Sequence, residues 1–255
     1  MGLSHSRNYR KLKENNIEEP LLSRINDISN TIEVSINNNV STVSTDVIDV
    51  NNNVSTVSTD VIEIPDGIKR FPDRSLHDWS LYGNYEEVIW LIENGSDINK
   101  MDQNGRTPLY LAIEYPKIAK VLIDNGCSLS SIDIYERTPL IYACERLAPF
   151  ETIKLFISSG SDVNTKDKYG KTPLHHASDN GRIEIVNLLL ENGADVNTED
   201  CFKETPLFNA SSKGRIDIVN LLLENGAERY HKNHIGKTPY ENIPKCFKEM
   251  MFVLK

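Results

Sequence analysis

One pattern constrains this chain more than any other: a Thr-Pro pair followed by a hydrophobic residue returns at a nearly fixed interval. It begins at Thr107, Thr138, Thr172, Thr205 and Thr238, with spacings of 31, 34, 33 and 33 residues. An Asp or Asn stands five residues before each Thr, at Asp102, Asp133, Asp167, Asp200 and Asn233. The best-formed unit is Lys171–Asn197, KTPLHHASDNGRIEIVNLLLENGADVN. Thr172 is placed to cap a helix, and Pro173 takes the first helical position, where its missing N–H costs nothing. Leu174 and Ala177 start one helical face, and Gly181 ends that helix. Ile185, Val186, Leu188, Leu189 and Leu190 supply a second apolar face, which stops at Gly193. Two short helices cannot bury their faces alone, so each unit needs neighbours.

A 33-residue period with T-P-L-H at residues 172–175 resembles the ankyrin repeat. The stretch GRIEIVNLLLENGAD at 181–195 is nearly duplicated as GRIDIVNLLLENGAE at 214–228. Arg74-Ser75-Leu76-His77, 33 residues before Thr107, reads as a degraded copy with Gly83 ending its first helix. The resemblance implies an all-α repeat solenoid of helix-turn-helix units with β-hairpin tips, preceded by a low-complexity N-terminal region. Residues 69–255 then hold five repeats, at 69–101, 102–132, 133–166, 167–199 and 200–232, and a partial C-terminal repeat at 233–255. Trp79 replaces a small Ala in the first repeat, which suits an end cap with an open side. Pro116 is expected where the first helix of repeat two ends. The extra residue of repeat three falls around Leu147-Ala148-Pro149, and Cys246–Leu254 is expected to form a short closing helix.

Charge is unevenly spread over the chain. The formal net charge is −9. Residues 1–13 carry +4, residues 14–68 carry −9 and the remainder carries −4. A mildly acidic repeat region argues against nucleic acid as a partner, because that affinity comes from Lys and Arg clusters. Cys127, Cys144, Cys201 and Cys246 form no C-x-x-C pair and fall in different units, so free thiols in a reducing, cytoplasmic compartment are expected. No run approaches 18 apolar residues and no apolar stretch follows the N-terminus, so neither a membrane span nor a secretory signal is expected.

The first six residues, Met1-Gly2-Leu3-Ser4-His5-Ser6, fit the M-G-x-x-x-[ST] pattern for N-myristoylation, with Gly2 as the acceptor. Arg7, Arg10, Lys11 and Lys13 follow directly. One acyl chain anchors only marginally, and each basic residue near an anionic leaflet adds roughly 1 kcal/mol. The segment 1–13 is therefore read as a candidate tether to the cytosolic face of a membrane. Residues 14–68 contain a tandem duplication: NNNVSTVSTDVIDV at 37–50 and NNNVSTVSTDVIEI at 51–64, with 12 of 14 residues identical. One reading is an acidic spacer. The other is a coiled coil over residues 36–64, since Ile36, Val40, Val43, Val47, Val50, Val54, Val57, Val61 and Ile64 alternate spacings of four and three. The Asn, Ser, Thr and Asp residues between them disfavour helix by about 0.5 kcal/mol each, which weighs toward the spacer and leaves an oligomeric stalk as the alternative.

No catalytic or metal constellation stands out. His175 is the His of T-P-L-H, and the resemblance implies a structural role for it and for His77. His231 and His234 lie three apart in a hairpin, and no Cys completes a metal site with them. No phosphate loop, G-x-S-x-G or H-E-x-x-H occurs. The chain is therefore read as a non-enzyme that needs no cofactor.

Ankyrin-like arrays resemble a cupped hand, and partners usually bind across hairpin fingers and first-helix palm. Two residues after each opening Asp or Asn stand Asn104, Tyr135, Tyr169, Phe202 and Ile235. Two further on stand Arg106, Arg137, Lys171, Glu204 and Lys237. Stacked in register, these give an aromatic column beside a mostly basic one, and aromatic residues with Arg are preferred interface material. Asp179, Asn180, Ser212 and Lys213 line the palm of the best repeats, as do Glu114, Tyr115, Glu145 and Arg146 of repeats two and three. The expected partner is a protein with an acidic, partly apolar segment. Asn164 and Asn197 each end an L/I-x-x-G-x-D-V-N run, and that position resembles the site where asparaginyl hydroxylases modify ankyrin proteins.

Overall fold

A computed structural model describes residues 62–63, 69–70 and 74–244 of the 255-residue chain. Segment 1–13, the spacer before Ile62 and the expected helix at Cys246–Leu254 lie outside the described residues. Strands β1 (Ile62–Glu63) and β2 (Lys69–Arg70) pair antiparallel, with Ile62 opposite Arg70 and Glu63 opposite Lys69.

Ten helices follow among the described residues. The first helices of the five repeats are α1 (Leu76–Tyr82), α3 (Pro108–Leu111), α5 (Pro139–Glu145), α7 (Pro173–Asn180) and α9 (Pro206–Ser212). The second helices are α2 (Tyr85–Glu93), α4 (Pro116–Asp124), α6 (Phe150–Ser158), α8 (Ile183–Glu191) and α10 (Ile216–Glu224). First helices stack on first helices and second on second, giving two layers. The core lies between them. The Leu of each Thr-Pro-Leu, at Leu109, Leu140, Leu174 and Leu207, is fully buried, as are Leu122, Phe156, Leu189 and Leu222 of the second helices.

Helix boundaries follow the local chemistry. Thr107, Thr138, Thr172 and Thr205 all stand at the N-cap, with Pro at the first helical position. Gly181 ends α7 in the left-handed conformation, at φ 76°. In repeat one the cap falls a residue later than the 33-residue register puts it. Ser75 caps α1 and Asp78 closes a reciprocal capping box, since Arg74 has no side-chain acceptor for that role. Trp79 is buried, with the Arg74 guanidinium 5.0 Å from its ring centre.

Repeat two corrects one expectation. Pro116 does not end the first helix; it is the first residue of α4, and Tyr115 precedes it at the N-cap. The two missing residues shorten α3 to a single turn, and proline's fixed φ suits a helix start. Repeat three absorbs its extra residue at Leu147, which is exposed and left-handed at φ 62°, and Pro149 then caps α6. In the last unit Glu241 accepts from the Thr238 N–H at 2.8 Å, and Ile243 is buried beyond it.

Two recurring side-chain bonds join the repeats. At the first, His77 and His175 each place Nε2 3.0 Å from a carbonyl of the next repeat, Arg106 and Glu204 respectively. Tyr110 occupies the same position in repeat two, and its hydroxyl lies 2.6 Å from the equivalent Arg137 carbonyl. The second is an Asn clamp. The Asn164 side chain accepts from the Asp195 N–H at 2.8 Å and donates to the Gly193 carbonyl at 3.0 Å. Asn99 makes the same pair of bonds to Ser128 and Gly126, and Asn197 to Glu228 and Gly226. In repeat two Ser130 stands at the clamp position, and the junction to repeat three has instead the Tyr110 bond and a buried one from the Thr152 hydroxyl to the Ile113 carbonyl at 2.8 Å.

Candidate interaction surface

The hairpin tips are built the same way five times. The opening carboxylate or amide oxygen accepts two backbone N–H bonds, from the residues two and four positions on. For Asp167 these come from Tyr169 and Lys171, both at 2.9 Å. Asp102, Asp133, Asp200 and Asn233 repeat the arrangement at 2.8–3.2 Å. The residue three positions on is left-handed: Gly105, Glu136, Gly170, Lys203 and Gly236. At Gly170 the space is closed as well, because an added Cβ would lie 3.0 Å from the Cys201 nitrogen.

Adjacent tips then join. The carbonyls of Asn104, Tyr135, Tyr169 and Phe202 accept N–H bonds from Ile134, Lys168, Cys201 and His234 at 2.9–3.0 Å. This backbone ladder holds the tips in register and turns the five residues two beyond each Asp or Asn into a row. Tyr135, Tyr169, Phe202 and Ile235 are 40–59% exposed along it, and Asn104 is exposed as well. Lys168 lies over Tyr135 at 4.0 Å and Tyr169 at 4.9 Å, and the Phe202 and His234 rings are 5.4 Å apart. The sequence reading missed the apolar neighbours Ile132 and Ile134, which are also more than half exposed. Their places directly beside Asp133 carry the signal.

The basic column does not form as expected. Arg137 is buried, with its guanidinium held by Asp133 (Nε–Oδ2 2.9 Å) and by Glu145, and stacked 4.8 Å from both Tyr135 and Tyr142. Arg106 turns back onto Asp102 at 2.7 Å. A planar, weakly hydrated guanidinium gains more from carboxylate and ring contacts within the turn than from solvent. Lys171 is half-buried, Glu204 binds the Asn233 side chain at 3.0 Å, and Lys237 is exposed.

Most of the expected palm residues serve the fold. Asn180 donates to the Cys144 and Glu145 carbonyls at 3.1 and 3.3 Å, satisfying the end of α5. Ser212 donates to the Asn209 carbonyl. Asp179 and Lys213 face each other at 3.8 Å and keep considerable exposure. Tyr115 lies over Gly83, where an added Cβ would meet its ring at 2.3 Å. Arg146 stacks on Tyr142 at 5.4 Å. Asn164 and Asn197 are the clamps described above, with both ends of each amide engaged.

The titratable groups fit a structural role. Burial pushes His175 down to about 4, outweighing the Glu204 carbonyl and the Asp200 charge, which act upward. Burial also pushes the Cys144 thiol up to about 12, far from a reactive thiolate. For Asp167 burial acts upward, but bonds from His176 and from the Lys171 and Tyr169 amides together hold its carboxyl below the usual value. Among the described residues no group of three His, Cys, Asp or Glu side chains could hold a metal ion. No described helix is long and apolar enough to cross a membrane.

Comparison with known proteins agrees with this geometry. A family model for ankyrin repeats in three copies matches residues 76–167 and 146–233. The chain is 44% identical over 50 residues to "Protein phosphatase 1 regulatory subunit 27" of Mus musculus, a match covering 19% of this chain and 32% of that protein. The Homo sapiens protein of the same name matches to the same extent. "Putative ankyrin repeat protein R886" of Acanthamoeba polyphaga mimivirus is 48% identical over 40 residues, covering 16% and 31%. The chain thus spans about a third of the length of the curated relatives it matches. Repeats of this kind generally mediate protein–protein interaction. Two family matches that together run from 76 to 233, over stacked two-helix units with laddered hairpin tips, establish that the chain belongs to the ankyrin-repeat family.

Proposed function

We propose that this chain is a protein-binding adaptor that takes a partner along its hairpin tips. The observation that carries this reading is the exposed row Tyr135, Tyr169, Phe202 and Ile235, held in register by the backbone ladder. Four large side chains in one line exceed what the turns need, and aromatic residues with little side-chain entropy are efficient contact groups. Lys168, Lys203 and Lys237 lie exposed beside them, so the partner segment is acidic and partly apolar. The basic contribution comes from these lysines rather than from Arg106 and Arg137. A regulatory-subunit name among the relatives is in keeping with an adaptor.

The test is affinity capture with the full chain against the Tyr169→Ala/Phe202→Ala variant. Loss of partner with unchanged helix content supports the tip surface; equal capture by both refutes it. Membrane tethering through Gly2 is a separate part of the proposal. It fails if a Gly2→Ala chain still fractionates with membranes as the parent does. Self-assembly through residues 36–64 is the alternative architecture, and light scattering on the full chain separates a monomer from an oligomer.

A further inference from the structure

The opening Asp or Asn of each hairpin uses Oδ1 for its two backbone N–H bonds. In repeats two to four the other carboxylate oxygen, Oδ2, meets a side-chain nitrogen. Arg106 reaches Asp102 Oδ2 through Nε at 2.9 Å and a terminal nitrogen at 2.7 Å. Arg137 reaches Asp133 Oδ2 in the same way, at 2.9 and 2.5 Å. In repeat four His176 Nε2 lies 3.0 Å from Asp167 Oδ2.

Repeat five breaks the series. Asp200 is 6% exposed, and its Oδ2 is shielded from solvent with no hydrogen-bond partner. Glu204 stands where Arg106 and Arg137 stand, four residues after the Asp, and Asn209 stands where His176 does, nine after it. Glu204 turns away to accept from the Asn233 amide at 3.0 Å. Asn209 is 7% exposed, and its Oδ1 is unpartnered as well. Among the described residues no cation forms an ion pair with Asp200. The neighbouring His175 directs Nε2 to the Glu204 carbonyl instead. Two shielded acceptor oxygens therefore lack a donor at the positions where the sister repeats hold a guanidinium or an imidazole. A buried oxygen without a partner is costly, and a carboxylate oxygen more so than an amide one.

We infer that Asp200 and Asn209 receive an arginine side chain of the bound partner, which supplies in trans what Arg106 and Arg137 supply within their own repeats. The sister repeats select the ligand. A guanidinium satisfies this oxygen through two nitrogens at once, and Arg137 is held between Asp133 and a second carboxylate, Glu145, as an incoming arginine would be between Asp200 and Glu204. An ammonium is a strongly hydrated point charge and loses more on entering a shielded place. The approach is from the surface, since the Arg106 side chain is 25% exposed where it meets Asp102. In repeat five the half-buried Glu204 takes that route, and its bond to the Asn233 amide is what entry displaces. The inference rests on the tip reading for the source of the arginine. Phe202 of the exposed row donates its N–H to the same Asp200 carboxylate at 2.8 Å, so a segment lying along the row passes this site. That segment carries one arginine among its acidic and apolar residues.

The experiment titrates the isotope-labelled full chain with N-acetyl-arginine amide and follows the Phe202 and Glu204 amide resonances by NMR, because both N–H groups bond to Asp200 Oδ1. Saturable shifts of these two resonances are expected. Asp200→Asn should weaken binding by about tenfold or more. That variant keeps its hairpin, since Asn233 holds the same two backbone bonds in the last unit. Glu204→Arg should fill the site from within, as Arg106 and Arg137 do, and abolish the response. Equal shifts with N-acetyl-lysine amide would overturn the proposal, because charge alone would then explain them. So would undiminished binding by Asp200→Asn. A parent chain that does not respond also overturns it, which is the result if the Asn209 amide turns over and donates to Asp200 itself. The titration involves no partner and therefore reads this site whether or not the tip surface binds one. Conversely, a partner lost from Tyr169→Ala/Phe202→Ala but bound by Asp200→Asn as tightly as by the parent would overturn the arginine site and leave the tip reading standing.

Discussion

His175 gives the sharpest quantitative expectation. Its Nδ1 lies 3.1 Å from the Thr172 N–H and therefore acts as an acceptor, so Nε2 carries the ring proton toward the Glu204 carbonyl at 3.0 Å. A proton on Nδ1 would set two donors against each other inside the core. Burial also makes the charged ring costly, so the native ring binds a proton only near pH 4, against 6.5 for an ordinary His. A base with a depressed native pKa contributes its full stability above 6.5, and that stability is lost as pH falls toward 4. In this window the unfolded chain takes up a proton that the folded chain refuses. A native value of about 4 against 6.5 corresponds to about 3 kcal/mol in total, of which about 2 kcal/mol is gone at pH 5. Urea denaturation followed by the helical circular dichroism signal at pH 7, 6 and 5 measures it, with His175→Gln as the reference that cannot titrate. The parent should lose stability relative to the variant over this range, and the difference should level off near pH 4. The carboxylates act in a lower window: Asp102 and Asp167 are held below their ordinary 3.8, so their contribution is present above that value and fades beneath it. A His175 ring that titrates near 6.5 by NMR, or identical pH slopes for parent and variant, would refute the argument.

Tyr110→Phe should cost about 1–2 kcal/mol, because the Ser131 and Arg137 carbonyls lose the one O–H they share at a junction with no Asn clamp, and urea midpoints would register it. Conversely, Ser130→Asn should add the missing clamp and raise stability by about 0.5–1 kcal/mol, reduced by whatever the exposed Ser128–Ser130 hydroxyl bond that it removes contributes. Lys203 is left-handed at φ 56°, so Lys203→Gly should raise the thermal midpoint slightly. Gly170→Ala should lower that midpoint by more, since strain and contact with the Cys201 nitrogen act together.

The family and its register were legible from the chain alone. Thr-Pro at fixed spacing, Leu at the buried position and Gly after the first helix of repeats one, four and five act within one turn of backbone. Their consequences do not depend on distant residues, so Thr172, Pro173, Leu174 and Gly181 stand where local chemistry puts them. The exposed row Tyr135, Tyr169, Phe202 and Ile235 was readable for the same reason, given that equivalent turns stack.

What each polar side chain does with its freedom was decided only by the tertiary structure. Arg106 and Arg137 occupy the same position as Lys171 and Lys237, yet they fold inward because Tyr142 lies within reach of both, and Arg137 also meets Tyr135 and Glu145. Asn164 and Asn197 sit at an exposed turn, but their amides are taken up by the next repeat about 30 residues on. Asn180 is spent on carbonyls 35 and 36 residues back. A bond's worth depends on which atoms arrive opposite it, and in a solenoid those atoms belong to the neighbouring repeat. The Thr172–Gly181 unit thus determines its own helix from sequence, while its neighbours determine which of its side chains remain free to meet a partner.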